Sequence, residues 1–187
     1  MNFFKRVPEE VQYVRLQLNT LSQTKKLTLC SILTCSAAIF QASGGFLPVF
    51  GYIISIFSTA PVIFCSLISI QFGILSYVLT IILLVMLQPS EVLIYSFTTG
   101  LLGLGIGISI LYLNRKVTII FCSSLYLVFG ILVLLYALKF PILGPIGSKT
   151  FSLWETLGIF LFSFFYSLIW VELCLFCLKR LRVIFKF

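Results

Sequence analysis

The chain has 187 residues, of which 60% are hydrophobic and only 10% charged, with a net charge of +8 and a mean hydropathy of +1.17. A water-soluble domain cannot hide that much apolar surface, and the strands of a membrane barrel would alternate where Ile74 to Leu87 and Val117 to Leu138 are apolar on every side. The class these features predict is an all-α integral membrane protein, a bundle of about six transmembrane helices preceded by an amphipathic cytoplasmic segment.

Residues 1–26 read as that segment, an amphipathic basic arm. Pro8 suits a first helical turn, Glu9 and Glu10 suit its positive end, and Val11, Val14, Leu18 and Leu21 recur at helical spacing. Lys5, Arg6, Arg15, Lys25 and Lys26 would face anionic headgroups on the inner leaflet, or simply solvent as a basic arm without a specific partner. The stretch is polar and mixed rather than a short apolar core ahead of a small-residue cleavage site, so no processing is expected.

Residues 27–178 form the predicted six-helix transmembrane domain. Its first span is Leu27 to Ala42, closed by Ser43-Gly44-Gly45, and its second is Phe46 to Ile70. Pro61 inside the second removes a backbone hydrogen bond, which predicts a kink or break there, or alternatively a re-entrant hairpin. Gln71 and Gly73 mark a turn before a third span ending at Leu87. Pro89 then starts a fourth that runs to Leu113. Asn114-Arg115-Lys116 is a polar turn before the fifth span, Val117 to Leu138. Lys139 to Thr150, with Pro141, Gly144, Pro145 and Gly147, is the longest link; the sixth span is Phe151 to Leu178, and 179–187 is a basic cytoplasmic tail.

Orientation follows from the basic residues, which cytoplasmic loops retain. With six spans, eleven Lys and Arg fall inside, in the arm, at Arg115-Lys116 and in the tail, while only Lys139 and Lys149 fall outside. A multi-pass protein of the plasma membrane, in contact with the lipid bilayer and with both termini cytoplasmic, is the expectation.

Histidine and aspartate are absent, and no phosphate-binding glycine loop, nucleophile elbow or metalloprotease helix occurs, so neither an enzyme nor a cofactor nor a nucleic-acid partner is expected. The six cysteines lie in apolar segments and read as small packing residues. Cys174 and Cys177 share a helix face, but no second pair or histidine is present to complete a metal site. Ionisable residues inside a membrane are costly, which singles out Glu91, Glu155 and Glu172. Each also has an ordinary explanation. Glu91 sits in the first turn after Pro89, Ser152 to Glu155 matches a capping box beside an interfacial Trp154, and Glu172 has Lys179 and Arg180 within reach. Gln41, Gln88, Glu91, Tyr95, Trp154 and Glu155 all fall at outer helix ends, where their convergence predicts a ligand-binding polar pocket. Gly100, Gly103 and Gly107 on the fourth span read as helix-packing positions, and Cys30, Thr34 and Ala38 form a small-residue stripe on the first.

Taken together, six apolar helices, a basic inner face, that stripe and the glycine-rich fourth helix resemble the substrate-binding S components of energy-coupling factor (ECF) transporters and related six-helix bacterial membrane families. Gly45-Phe46-Leu47-Pro48-Val49-Phe50-Gly51 and Thr99-Gly100-Leu101-Leu102-Gly103-Leu104-Gly105 look like the loop and glycine patterns of such proteins. The resemblance implies a subunit that captures a vitamin or metabolite from outside and docks through its first helix onto a transmembrane coupling subunit driven by two ATPase subunits. The family uses an alanine-x-x-x-alanine stripe where this chain has Cys30, Thr34 and Ala38. The competing expectation is a membrane scaffold or envelope assembly protein that works through helix contacts, its outer polar residues being only caps and anchors.

Overall fold

The computed structural model describes residues 9–47, 49–139 and 153–185. Pro8, most of the proline- and glycine-bearing link after Lys139, and Ser152 of the predicted capping box lie outside the described residues. Among the described residues the chain is helical apart from short breaks, with six stretches long and apolar enough to cross a bilayer. The chain is therefore an all-α, multi-pass membrane protein, and its exposed surface fits that solvent. Ile74, Val78, Ile82, Val85 and Met86 on one helix and Leu157, Leu161, Phe165, Ile169 and Phe176 on another point outward as a belt that water would not tolerate and lipid does.

Helix α1 (Glu9–Thr20) precedes the first span, α2 (Gln23–Phe46). The second span is α3 (Phe50–Ile56) followed by α4 (Thr59–Ile68); the third is α5 (Ile70–Leu87). The fourth divides into α6 (Pro89–Phe97) and α7 (Thr99–Tyr112). The fifth is α8 (Lys116–Leu132), extended by a π-helical turn over Val133–Ala137, and the sixth is α9 (Leu153–Phe185). The arm thus ends at Ser22, since Gln23 to Lys26 already belong to the first span.

Several boundaries differ from the sequence reading, each for a physical reason. Ser43-Gly44-Gly45 does not end the first span: the helix runs on to Phe46, because glycine is tolerated in a helix whose backbone has no water to turn to. The second span is broken at Phe57-Ser58, one turn before Pro61. Pro61 is the third residue of α4, where a helix has no acceptor for the missing N–H, so it costs nothing there. The span is interrupted and does not double back. Its far end, Ile68 to Ile70, lies with Gln23, Lys26 and Tyr112, while its near end packs Gly51 on Ser43. The turn before the third span is Ser69, and Gly73 sits inside α5 against Ser66. Thr98 breaks the fourth span, which the sequence presented as one helix. The last helix continues through Leu178 into the basic tail.

The two interrupted spans form the centre. Most of α4 and α7 is buried, and they face each other across Gly103 and Gly107. A side chain at Gly103 would press on Val62 and the Thr59 carbonyl, and one at Gly107 would overlap Ser66, so the close approach of α4 and α7 leaves no room for a Cβ at either position. Gly100 likewise accommodates the Tyr95 ring. On one side α2 and α5 pack against α4; on the other α8 packs against α7 and α9 against α8. Helix α1 buries Val11, Val14 and Leu18 against α9 and α4, so its apolar face is spent on protein and not on the lipid surface. The end of the bundle near α1 carries Lys25, Lys26, Arg115, Lys116, Lys179 and Arg180. Glu172 pairs there with Lys116 at 3.1 Å, not with Lys179 or Arg180 as its spacing suggested.

Candidate functional site

Toward the opposite end, one amide ties four elements together. Gln41 lies on the face of α2 that also buries Ala37, Ala38 and Ala42, and it is fully buried itself. Its Nε2 donates to Glu91 Oε2 at 2.8 Å, and its Oε1 accepts from Ser58 Oγ at 2.7 Å and Thr99 Oγ1 at 2.8 Å. Ser58 stands in the break between α3 and α4, and Thr99 is the first residue of α7, directly after the break at Thr98. Both interruptions therefore deliver a hydroxyl to the same carbonyl oxygen. Glu91, in the first turn of α6, is buried as well, and Gly44 makes room for it: a Cβ at that position would stand 3.1 Å from its carboxyl group. In hydrocarbon every polar group needs such a partner, and the orientation of the Gln41 amide is the one that satisfies all three neighbours.

A second polar chain runs deeper along α2 and α5. Thr34 Oγ1 donates to Ser76 Oγ at 2.9 Å, and Thr80 Oγ1 to the Ser76 carbonyl at 2.8 Å. Tyr77 donates to the Ser96 carbonyl at 2.8 Å and stacks on Tyr95 with ring centroids 5.8 Å apart. The Tyr95 hydroxyl is buried and faces Thr80 without hydrogen-bond geometry.

Beside the amide cluster, α3, the α6–α7 break, α8 and the first half of α9 enclose a cavity of about 720 Å³. Its walls are mostly apolar. The polar residues lining it include Ser55, Thr98, Thr99, Tyr166 and Glu155. Thr99 belongs to both features, since it lines the cavity while its hydroxyl is bonded to Gln41. The volume falls in the range of small-molecule sites.

The predicted rim pocket thus separates into parts. Gln41 and Glu91 come together, but in a closed network. Tyr95 is buried one turn below Glu91, with its ring among Tyr77 and Gly100. Gln88 stays near the end of the bundle, where it bonds Ser90 at 3.1 Å and lies against Gly45. Trp154 is 84% exposed, whereas Glu155 alone of the six lines the cavity. The stripe of Cys30, Thr34 and Ala38 requires a correction: all three are buried inside the bundle, Thr34 on Ser76 and the Cys30 carbonyl under the Cys65 thiol at 3.9 Å, so they offer no docking surface to a partner. The residues the sequence reading missed are Ser55, Ser58 and Thr99. Their one legible signal is that Ser58-Thr59 and Thr98-Thr99 are adjacent hydroxyl pairs about nine residues into two apolar spans that begin at the same end.

No family model matches this chain, and no curated protein or solved structure is significantly similar to it.

Proposed function

We propose that the chain is a non-catalytic, small-molecule-binding subunit of a membrane transporter energised by separate ATPase subunits. The observation that carries this reading is the cavity beside two interrupted spans that share one buried amide. Interrupted helices with polar residues at their breaks are how membrane transporters build sites in mid-bilayer. The links at the basic end support a division of labour, since Ser69 and Leu113 to Arg115 leave no room between those spans for a nucleotide-binding domain. Docking onto an ECF-like coupling subunit uses a surface other than the buried stripe on α2. The basic end faces the cytoplasm of the plasma membrane in this reading, by the eleven-to-two bias of Lys and Arg.

The test is native mass spectrometry of the gently purified protein, seeking a retained metabolite or vitamin-sized molecule, with Gly158→Leu as the control that fills the cavity. A molecule present in the wild type and lost in the variant is expected. An empty wild type, with uptake phenotypes absent in Gly158→Leu cells, refutes the reading in favour of a scaffold that works through helix contacts. Single-cysteine reporters at Asn114 and Gly45 check the orientation: a membrane-impermeant maleimide added to whole cells should label the second only, and the reverse pattern overturns it.

A further inference from the structure

The geometry points to α3 as a gate, a half-helix that swings about the break at Phe57-Ser58 and closes the cavity against Gly158 on α9. The reason for a gate rests on the proposed binding role, but its motion can be measured without a ligand.

Among the described elements α3 is the least anchored. It has seven residues and rests on α2, without comparable contact elsewhere, whereas each of the other elements packs on at least two. Phe50, Tyr52 and Ile53 are more than half exposed, and only Gly51 and Ser55 are buried. Few buried apolar contacts mean a low cost of local displacement.

Its seam with α2 is backbone on backbone. A Cβ at Gly51 would overlap the Ser43 carbonyl and crowd the Gly44 Cα, so no side chains interlock there. The Ser43 hydroxyl has one hydrogen to give and lies 2.6 Å from the Phe40 carbonyl but 3.2 Å from that of Gly51, so the tie to α3 is the weaker of the two. A smooth seam of this kind is a pivot and not a lock.

The lower end of α3 is held from both sides. Phe57 sets its ring edge-on to the buried Trp170 of α9, with 6.4 Å between centroids, and the Ser58 hydroxyl is bonded to Gln41. Across the break the backbone is joined by short turns, from Phe57 N–H to the Ile54 carbonyl and from Ala60 N–H to the Phe57 carbonyl. At the upper end Val49 has a φ of 66°, which a β-branched residue rarely adopts. A short element with a fixed break at one end and a strained joint at the other is built as a hinge.

The room for closure is on α9. Tyr52 and Ile56 of α3 line the same cavity as Gly158 and Phe162 of α9, although the two helices are parted. A Cβ on Gly158 would meet nothing within 4 Å, which leaves a notch without a side chain in that wall. A seven-residue helix is about 10 Å long, so a rotation of about 30° carries its outer end about 5 Å and the Tyr52 ring toward the notch.

The experiment uses the full chain in phosphatidylcholine nanodiscs, with Cys35, Cys122 and Cys177 replaced by serine and spin labels on Phe50→Cys and Leu161→Cys, two exposed positions on α3 and α9. Double electron–electron resonance reads the distance, and labels on Ile32→Cys of α2 and Leu161→Cys give the reference. The first pair should show two distances about 5 Å apart, and the reference pair one. Gly158→Leu fills the notch and should remove the shorter distance. A single Phe50–Leu161 distance that Gly158→Leu does not move overturns the gate, and so do two distances that both survive in Gly158→Leu. The binding role is decided separately: a single distance with a retained small molecule leaves a site without a gate, and two distances with an empty protein leave a moving half-helix without a site.

Discussion

Replacing Gln41 by methionine keeps most of the side-chain volume and deletes every hydrogen bond of the buried amide. Three contacts disappear: one to the Glu91 carboxyl group and two from hydroxyls at the helix breaks. Interhelical hydrogen bonds in membrane proteins are worth about 0.6 kcal/mol on average and at most about 1.7, so the two hydroxyl bonds contribute about 1–2 kcal/mol together. The bond to a carboxyl group adds about 1.5 kcal/mol or more. Gln41→Met should therefore cost about 3 kcal/mol, against about 1 kcal/mol for Ser58→Ala or Thr99→Val, each of which breaks a single bond. Because the three bonds share one amide, the losses should not add. In the Gln41→Met background Thr99→Val should cost almost nothing, a coupling of about 1 kcal/mol in a double-mutant cycle. The assay is reversible unfolding in bicelles, followed by a steric trap on tagged termini. A Gln41→Met protein within about 0.5 kcal/mol of wild type, or an undiminished Thr99→Val cost in its presence, would refute the account of Gln41 as the joint between the two interrupted spans.

Two further substitutions probe the frame around that joint. Gly107→Ala should destabilise by about 1–3 kcal/mol, because the new methyl group meets Ser66 at its rigid Cβ and must push α4 from α7. Gly105→Ala should cost less, since its methyl group comes no closer than 2.7 Å to the half-exposed side chain of Tyr126, a wider approach than that to the Ser66 Cβ at Gly107; equal costs in the same unfolding assay would contradict this packing. The ion pair between Lys116 and Glu172 is partly exposed, so Glu172→Gln should cost about 1 kcal/mol or less, and the exchanged pair Lys116→Glu with Glu172→Lys should recover most of the cost of either single reversal.

What could be read from the sequence follows the physics of each feature. Spans are set by apolar content over about 20 residues, a property of the chain itself, and all six were legible. Helix interruptions are not, because in lipid a break is allowed wherever another element satisfies the freed backbone, and that element is remote in sequence. Pro61 drew attention as the breaker, yet it sits harmlessly at the start of α4, while Thr98, flanked by ordinary residues, separates α6 from α7. The stripe of Cys30, Thr34 and Ala38 was legible as a surface for close approach, but small residues do not say which helix approaches. Here α5 and α4 do. Gln41 and Glu91 were readable as neighbours in depth. Their bond required knowing that α2 and α6 pack together at Gly44.

The separation of the closed amide network from the open cavity decides how carboxylate mutants are to be interpreted. Both Glu91 and Glu155 sit in the first turn of a membrane helix, and on the proposed transport role both would score as functional residues in an uptake assay. Their mechanisms differ. Glu91 holds Gln41, which holds the breaks at Ser58 and Thr99, so Glu91→Ala acts on the population of folded protein: lower unfolding free energy, fewer competent molecules, unchanged affinity in each. Glu155 lines the cavity, so on the proposed binding role Glu155→Gln should lower the affinity for the ligand in each folded molecule. Measuring both quantities on each variant separates the two, where activity by itself cannot. An affinity loss in Glu91→Ala at full stability would mean that the network reaches the ligand, and the boundary between scaffold and site, drawn at the shared side chain of Thr99, would have to move to the far side of Gln41.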